Sequence, residues 1–166
     1  MPNYVTNCIT LKGDPELIKE MRDAIMNDEK RIGSMDFNKI IPMPESLNIV
    51  CGSDSDRGLK WYTDFISVYL FGRDPEKVDT LNIPHEREEV FLKMRTDIER
   101  DTFDFGRAAY QNILKYGAPT WYEWSIQNWG TKWNAIMPDS GYDSYDETII
   151  AMDTAWSAPH PVVATL

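Results

Sequence analysis

The feature that most constrains the fold of this chain is the clustering of its tryptophans in the C-terminal third. Five of the six tryptophans lie there, at Trp121, Trp124, Trp129, Trp133 and Trp156. The spacing of the first three predicts one side of a short helix that ends at Gly130, and the other two are predicted to face inward from paired strands. Because large apolar rings stabilise a fold most when buried, we predict that all five belong to the core.

The same tryptophans allow a second interpretation, in which they form an exposed platform. Proteins that bind single-stranded nucleic acid stack bases on such aromatic side chains, and a nucleotide could be held in the same way. Asn128 and Lys132 are the polar residues of this region that would contribute to such a site. Helix capping and contact with solvent are the alternative roles of these two residues, and we favour them over a binding site.

The charge of the chain limits its partners. The 166 residues carry a formal net charge of −10, and the pI is about 4.6. Direct binding to nucleic acid or to an anionic membrane needs a basic surface that displaces counterions, so we predict neither. An acidic surface favours a protein partner with a basic surface instead. No apolar run reaches the ~20 residues of a membrane span and no signal-peptide pattern is present, so a cytoplasmic protein is predicted.

The N-terminal residues predict a strand followed by an amphipathic helix. The alternation from Tyr4 to Leu11 predicts a half-buried or central strand, with Cys8 as a small core residue and Cys51 exposed elsewhere. Asp14 is predicted to cap a helix that runs to about Asn27. The length of the chain suits one hydrophobic core, so a single α+β domain over residues 1–166 is predicted.

The middle of the chain is predicted to be helical with interruptions. An apolar centre and two prolines predict that residues 36–44 form a buried extended loop or an edge segment. Glycines and serines predict a solvated loop at residues 45–60. Residues 61–71 are predicted as a short helix. Apolar spacing from Glu86 to Gly117 predicts one long helix or two consecutive helices.

The C-terminal residues predict a hairpin and a last helix. Residues 132–137 and 147–156 are predicted as two antiparallel strands joined by a long acidic loop. A helix is predicted to begin near Pro159.

Four sequence blocks, in the same order, carry a family resemblance. They are Met1-Pro-Asn-Tyr-Val-Thr-Asn7, Asp36-Phe-Asn-Lys-Ile-Ile-Pro-Met-Pro-Glu-Ser-Leu47, Trp129-Gly-Thr-Lys-Trp-Asn-Ala135 and Thr154-Ala-Trp-Ser-Ala-Pro159. They resemble the YubB-like ferredoxin-fold family of plasmid, phage and genomic-island proteins. The resemblance implies a ferredoxin-like antiparallel sheet with packed helices and a helical insert at residues 48–115. This chain departs from the family pattern at its C-terminal part, since family members usually continue past the fourth block through a helix and a further strand. Relative to the family, a truncated C-terminal part is therefore expected.

The sequence predicts neither catalysis nor a cofactor. His85 and His160 each lie next to a proline, without a nearby nucleophile or carboxylate in a triad pattern. No phosphate-binding glycine loop is present. The acidic loop could hold calcium, but it lacks the alternating order of an EF-hand, so no metal is predicted. The family that the chain resembles has no established activity.

We therefore expect a non-enzymatic binding protein of a mobile genetic element, of the anti-CRISPR or anti-restriction type. Its acidic surface is expected to engage a basic nucleic-acid-binding protein, through Asp139, Asp143, Asp146 and Glu147. Partner specificity is expected to map to the helical insert, where Val90, Phe91, Met94 and Ile98 form an amphipathic pattern. The alternatives are an accessory protein of plasmid or phage maintenance and a nucleotide- or single-strand-binding module that uses the tryptophans.

Overall fold

The computed structural model describes residues 3–26, 35–138 and 148–166. Residues 1–43 and 122–166 belong to one compact unit, called here the sheet unit, and residues 44–121 form a second, called the helical unit. The predicted insert at residues 48–115 lies within the range of the helical unit. The strands are β1 (Tyr4–Thr10) and β2 (Ile149–Ala155). The helices are α1 (Pro15–Ile25), α2 (Ser53–Leu70), α3 (His85–Met94), α4 (Arg100–Tyr116), α5 (Trp121–Trp129) and α6 (His160–Thr165).

The sheet unit is built on an antiparallel pair of strands. Tyr4 of β1 lies opposite Ala155 of β2, and the register continues to Thr10 opposite Ile149. Val5 and Ile9 are half-buried on one face, as the alternation predicts, whereas the residues between them are exposed. The prediction that Cys8 is a core residue was wrong, because Cys8 lies on the exposed face.

The helix boundaries predicted for the sheet unit are confirmed at the start of α1, the end of α5 and the start of α6. The Asp14 carboxylate accepts hydrogen bonds from the backbone N–H groups of Glu16 and Leu17, at 2.9 and 3.4 Å, and so caps α1. Gly130 has a φ of 76°, the left-handed conformation that a glycine adopts without strain, directly after α5. The last helix, α6, follows Pro159 as predicted.

The predicted hairpin is only partly present. Residues 132–137 do not form a strand, and Ile136 alone makes a two-bond bridge to Asp153, at 2.9 and 2.7 Å. Side chains hold the start of this segment instead: the Ser125 hydroxyl donates to the Lys132 carbonyl at 2.6 Å, and the Thr131 hydroxyl donates to the Ala155 carbonyl at 2.8 Å. The α+β class is confirmed, with a two-stranded sheet in the described part of the chain.

The first helix of the helical unit, α2, begins earlier in the sequence than predicted. Residues 53–60, predicted as a loop, form the first two turns of α2. The Ser55 hydroxyl accepts a hydrogen bond from the Gly52 N–H at 3.0 Å and donates to the Gly52 carbonyl at 2.8 Å, which satisfies groups at the helix start. Gly58, which suggests a loop in the sequence, is buried where α4 approaches α2, opposite Gly106. Gly58 is therefore explained by a close contact between two helices and does not mark a loop.

The core of the helical unit is aromatic. Tyr62 and Phe65 of α2 pack against Phe91 of α3 and Phe103 of α4, with ring centroids 5.2 to 6.0 Å apart. Of the two predicted alternatives for residues 86–117, two consecutive helices is correct, and the second ends at Gly117 with a φ of 74°. None of the helices in the described ranges has the length and apolar character needed to cross a membrane.

Candidate functional site

The structure divides the five predicted core tryptophans into three groups. Trp124 and Trp129 are buried, and Trp121 and Trp133 are half-buried. Trp156 is 48% exposed, so the prediction that it faces the core was wrong. The reason lies in its backbone, since Trp156 directly follows β2 and adopts a φ of 72°, which takes it out of the strand alternation.

Trp129 is the best integrated of these side chains. Its indole N–H donates to the Ile41 carbonyl at 2.9 Å, so the polar edge of the ring is satisfied inside the unit. The ring also meets Phe37 and Trp124 edge to face, with centroids 5.7 and 5.4 Å away. This geometry is that of a core residue, and it leaves no ring face for a ligand.

Lys132 lies in an aromatic surface cluster. Its ammonium nitrogen is 4.9 to 5.4 Å from the ring centres of Tyr122, Trp133 and Trp156. The Tyr122 and Trp156 rings meet almost perpendicularly, 6.2 Å apart. Asn128, the other predicted polar candidate, donates to the Trp124 carbonyl at 2.9 Å within α5. Lys132 therefore lies beside the exposed Trp156, whereas the Asn128 side chain makes a hydrogen bond within its own helix.

The four acidic residues predicted to bind a partner, Asp139, Asp143, Asp146 and Glu147, lie outside the described residues. His160, the second histidine, is exposed at the start of α6. Within residues 3–26, 35–138 and 148–166, no group of three or more histidine, cysteine or acidic side chains could hold a metal ion.

A buried charged network connects the helices of the helical unit. Glu88 of α3 is 3% exposed, and its carboxylate accepts a hydrogen bond from the Tyr62 hydroxyl at 3.3 Å. The same carboxylate lies 2.9 Å from the Arg107 guanidinium of α4 and 3.0 Å from His85 Nδ1. Burial, and then the Glu88 charge, raise the pKa of Tyr62. His85 is thus engaged by a structural carboxylate, and its other ring nitrogen lies 3.0 Å from Glu89.

A concave groove lies between α2 and α3. It encloses about 410 Å³. Its apolar wall consists of Phe65, Val68, Tyr69, Val90, Phe91 and Met94, and its charged rim of Arg73, Arg87 and Arg95. Met94 is 79% exposed, and Val68 and Val90 are also exposed beside it. Apolar side chains concentrated around a groove are typical of surfaces that bind another molecule.

The three groove arginines differ in how their charge is compensated. Arg95 forms a bidentate pair with Asp97, with both bonds 2.8 Å long. The Arg73 guanidinium lies 4.4 Å from the Tyr69 ring centre and donates to the Tyr69 carbonyl. Among the described residues, neither Arg73 nor Arg87 has a carboxylate within ion-pair distance. The groove therefore presents two positive charges that a ligand could neutralise.

The sequence points to this groove only in part. The apolar pattern through Val90, Phe91 and Met94 is visible in the sequence, but it predicts a buried helix face, whereas only Phe91 is buried. The rim arginines are spread over 23 positions of the chain, from Arg73 to Arg95, and no local motif connects them. The one local signal was the spacing of Val90 and Met94, four residues apart, which places both on one side of α3.

Known proteins give this chain no further assignment. No protein-family model, no curated protein and no solved structure matches it.

Proposed function

We propose that this protein is a non-enzymatic binding protein whose helical unit captures a segment of another protein in the groove between α2 and α3. The observation that carries this proposal is the combination of exposed apolar side chains with two arginines, Arg73 and Arg87, that have no acidic partner among the described residues. The segment that fits is amphipathic, with apolar side chains for the wall and carboxylates for the rim.

The apolar wall supplies the attraction. Covering a fully exposed valine or methionine side chain contributes on the order of 1.5–3 kcal/mol. Val68, Val90 and Met94 lie along one groove, so a single helix or extended segment can cover all three. A few such anchors commonly supply most of the affinity of an interface.

The rim supplies selectivity. A guanidinium presents a planar fork of donors that matches a carboxylate, so Arg73 and Arg87 favour an aspartate or glutamate in the ligand. The positive charge of the groove rim is opposite in sign to the net charge of the chain, which is −10. Strongly acidic proteins are repelled by the molecule as a whole, so the matching partner carries its acidic residues in a limited segment.

A peptide-display screen tests this proposal with defined probes. Amphipathic peptides of about 15 residues are displayed with either acidic or basic polar faces. We expect enrichment of acidic amphipathic sequences, with binding weakened about tenfold or more by Arg87→Glu and by Val90→Asp. Lys93→Glu on the same helix and Leu114→Asp on α4 are matched controls outside the groove lining. Equal enrichment of basic peptides, or binding that the groove variants leave unchanged, would contradict the proposal.

We also propose a different, family-based assignment, which the resemblance suggests. In it, the protein is a cytoplasmic YubB-like protein with a ferredoxin-like sheet unit, and it protects a mobile element by engaging a basic nucleic-acid-binding protein. The net charge of −10 and the absence of Lys and Arg after Lys132 support this reading. An accessory role in plasmid or phage maintenance is the alternative within the same resemblance.

The acidic residues predicted to bind a partner provide the test of this family-based assignment. Replacing Asp139, Asp143, Asp146 and Glu147 by Asn and Gln removes four charges with little change in shape. Association with a CRISPR or restriction nuclease is then expected to slow at low salt and to lose part of its salt dependence. An unchanged association rate would remove these four residues from the interface.

A second candidate function rests on the Lys132 cluster. Trp156 exposes its ring beside a lysine ammonium, and this combination can stack a base and contact its phosphate. Quenching of tryptophan fluorescence by single-stranded oligothymidylate, abolished in Trp156→Ala and reduced in Lys132→Gln, would support it. Absence of quenching at low salt would leave the cluster with a structural role alone.

A further inference from the structure

The main-chain groups along the outer edge of β1 have no partner among the described residues. The Trp156 N–H donates to the Asn3 carbonyl at 2.8 Å, and the Leu11 N–H donates to the Thr148 carbonyl at 2.7 Å. In an antiparallel pair, hydrogen-bonded positions recur at every second residue, so Val5, Asn7 and Ile9 also direct their main-chain groups toward β2. The N–H and C=O groups of the residues between them point away from β2. These residues are Tyr4, Thr6, Cys8 and Thr10.

No described residue pairs with this edge. The main-chain groups of Tyr4, Thr6, Cys8 and Thr10 have no hydrogen-bond partner in the described part of the chain, and all four side chains are exposed. Free strand edges are normally protected by a charged residue, a proline, a bulge or a covering element. β1 has no charged residue, proline or glycine between Tyr4 and Thr10. An edge this regular is suited to pairing with another strand.

We propose that β1 of a second copy of this chain pairs with this edge, antiparallel and about a two-fold axis at Asn7. In that register Thr6 lies opposite Cys8 of the second copy, and Tyr4 lies opposite Thr10 of the second copy. All four outward-pointing residues then form hydrogen-bonded pairs, and Asn7 faces its own equivalent. The two sheets become one four-stranded sheet through an isologous contact, the commonest arrangement in homodimers.

The chemistry of the strand favours a second copy as the occupant. In a two-fold pairing, β1 of one copy lies against β1 of the other copy. A charged side chain in β1 would therefore lie close to the same charge in the second copy and be repelled by it. The absence of charge removes this obstacle in a protein whose net charge is −10. The overall charges of the two copies still repel, so dimerisation is expected to strengthen as salt rises. Binding of an acidic segment in the arginine-rimmed groove is expected to weaken instead, which separates the two proposals.

Charge-pair variants test the register. Thr6→Lys with Cys8→Lys places lysines opposite each other in the dimer, and Thr6→Glu with Cys8→Glu does the same with acids. By sedimentation velocity, each double variant alone is expected to dimerise about tenfold or more weakly than the unmodified chain. An equimolar mixture of the two is expected to recover the dimer, because every lysine then faces a glutamate. The changed side chains lie on the exposed face, but Thr6 is opposite Asp153 of β2. Thermal unfolding of each variant is therefore compared with that of the unmodified chain, to confirm that β1–β2 pairing is kept.

Disulfide trapping provides a test that does not depend on those variants. Thr6→Cys places a thiol opposite Cys8 of the second copy, at the separation of about 5.5 Å that a disulfide spans. Oxidation is expected to give a covalent dimer, whereas Thr10→Cys, which faces Tyr4, is the matched control and is expected to remain uncrosslinked. A monomer at all protein and salt concentrations would overturn the proposal. A dimer that all edge variants leave intact, or crosslinking that is equal in both cysteine variants, would overturn it as well.

Discussion

The sheet unit and the helical unit are stabilised in different ways. In the helical unit, α2 and α4 approach so closely at Gly58 and Gly106 that each glycine meets the backbone of the other helix. In the sheet unit, the irregular segments are held by side chains that bond to distant backbone groups, as Asn134 does to Phe37 at 2.8 Å. The first arrangement is sensitive to added atoms and the second to removed polar groups. Substitutions can therefore distinguish the two units by the kind of change each tolerates.

This difference also separates the candidate surfaces. The groove lies on regular helices, whose backbone hydrogen bonds are satisfied internally, so its exposed lining residues Val68, Val90 and Met94 can be changed without disturbing the fold. The Lys132 cluster lies on irregular backbone that the Ser125 hydroxyl holds in place. Variants of the groove report on binding more directly than variants of the aromatic cluster do.

The largest expected effect is that of Trp129→Ala in the sheet unit. Removing this buried indole is expected to lower the free energy of unfolding by about 3–5 kcal/mol, because it empties a large site and leaves the Ile41 carbonyl without its donor. Trp156→Ala is the matched control, expected to cost about 1 kcal/mol or less at its exposed position. Urea unfolding measures both. Equal losses would contradict the assignment of the two tryptophans to core and surface.

Gly106→Ala tests the helix contact in the helical unit. A Cβ at this position would overlap the Gly58 carbonyl, so α2 and α4 must move apart, at an expected cost of about 3 kcal/mol. Gly13→Ala is the control, since its Cβ would meet no atom within 4 Å. Thermal unfolding compares the two variants. A Gly106 variant as stable as the parent would mean that the helices are not in backbone contact.

Asn134→Ala tests whether polar side chains hold the irregular segments of the sheet unit. The Asn134 side-chain oxygen accepts hydrogen bonds from the N–H groups of Phe37 and Ala135, at 2.8 and 2.9 Å. Removing it takes this acceptor away from both N–H groups, at an expected cost of about 2 kcal/mol. Asn38→Ala, which removes one longer and exposed bond to Met43, is expected to cost less. If the order of the two losses were reversed, the polar side chains would not be holding this segment.

Tyr62→Phe is expected to have the smallest effect near neutral pH and a distinct effect in alkali. Losing the hydroxyl bond to Glu88 is expected to cost about 1 kcal/mol. Because burial and the Glu88 charge raise the pKa of Tyr62 above its ordinary value of 10.0, the folded state favours the neutral phenol. The contribution of the neutral Tyr62 phenol to the free energy of unfolding is fully present below pH 10.0, and it is lost as the pH rises above that value.

The measurement for Tyr62 is the dependence of unfolding free energy on pH, from about pH 8 to about pH 11. The parent is expected to lose stability faster than Tyr62→Phe over this range. Tyr116→Phe, at an exposed position, is expected to follow the parent. Parallel curves for the parent and Tyr62→Phe would show that Tyr62 is not held in its neutral form by the fold.

Local signals made much of the fold predictable. The Asp14 cap, Gly117 and Gly130 act on backbone groups within a few residues of themselves, so they mark helix ends regardless of what packs nearby. The start of α2 could not be predicted in this way. Gly58 has the composition of a loop, and only the approach of Gly106 from a helix far along the chain explains it.

The candidate sites were less predictable than the fold, because burial is decided by partners distant in the sequence. Glu88 resembles a solvated acid in an acidic helix, yet Tyr62 and Arg107 enclose it. Val90 and Met94 resemble core residues, yet they line an open groove.

By itself the sequence determined the α+β class, the strand alternation of β1 and most helix ends, because periodicity and capping depend on neighbouring residues. Only the tertiary structure decided that Trp129 is buried and Trp156 exposed, and that arginines from separate segments meet at one groove. Those outcomes depend on which distant surfaces cover each side chain, and no local pattern encodes them.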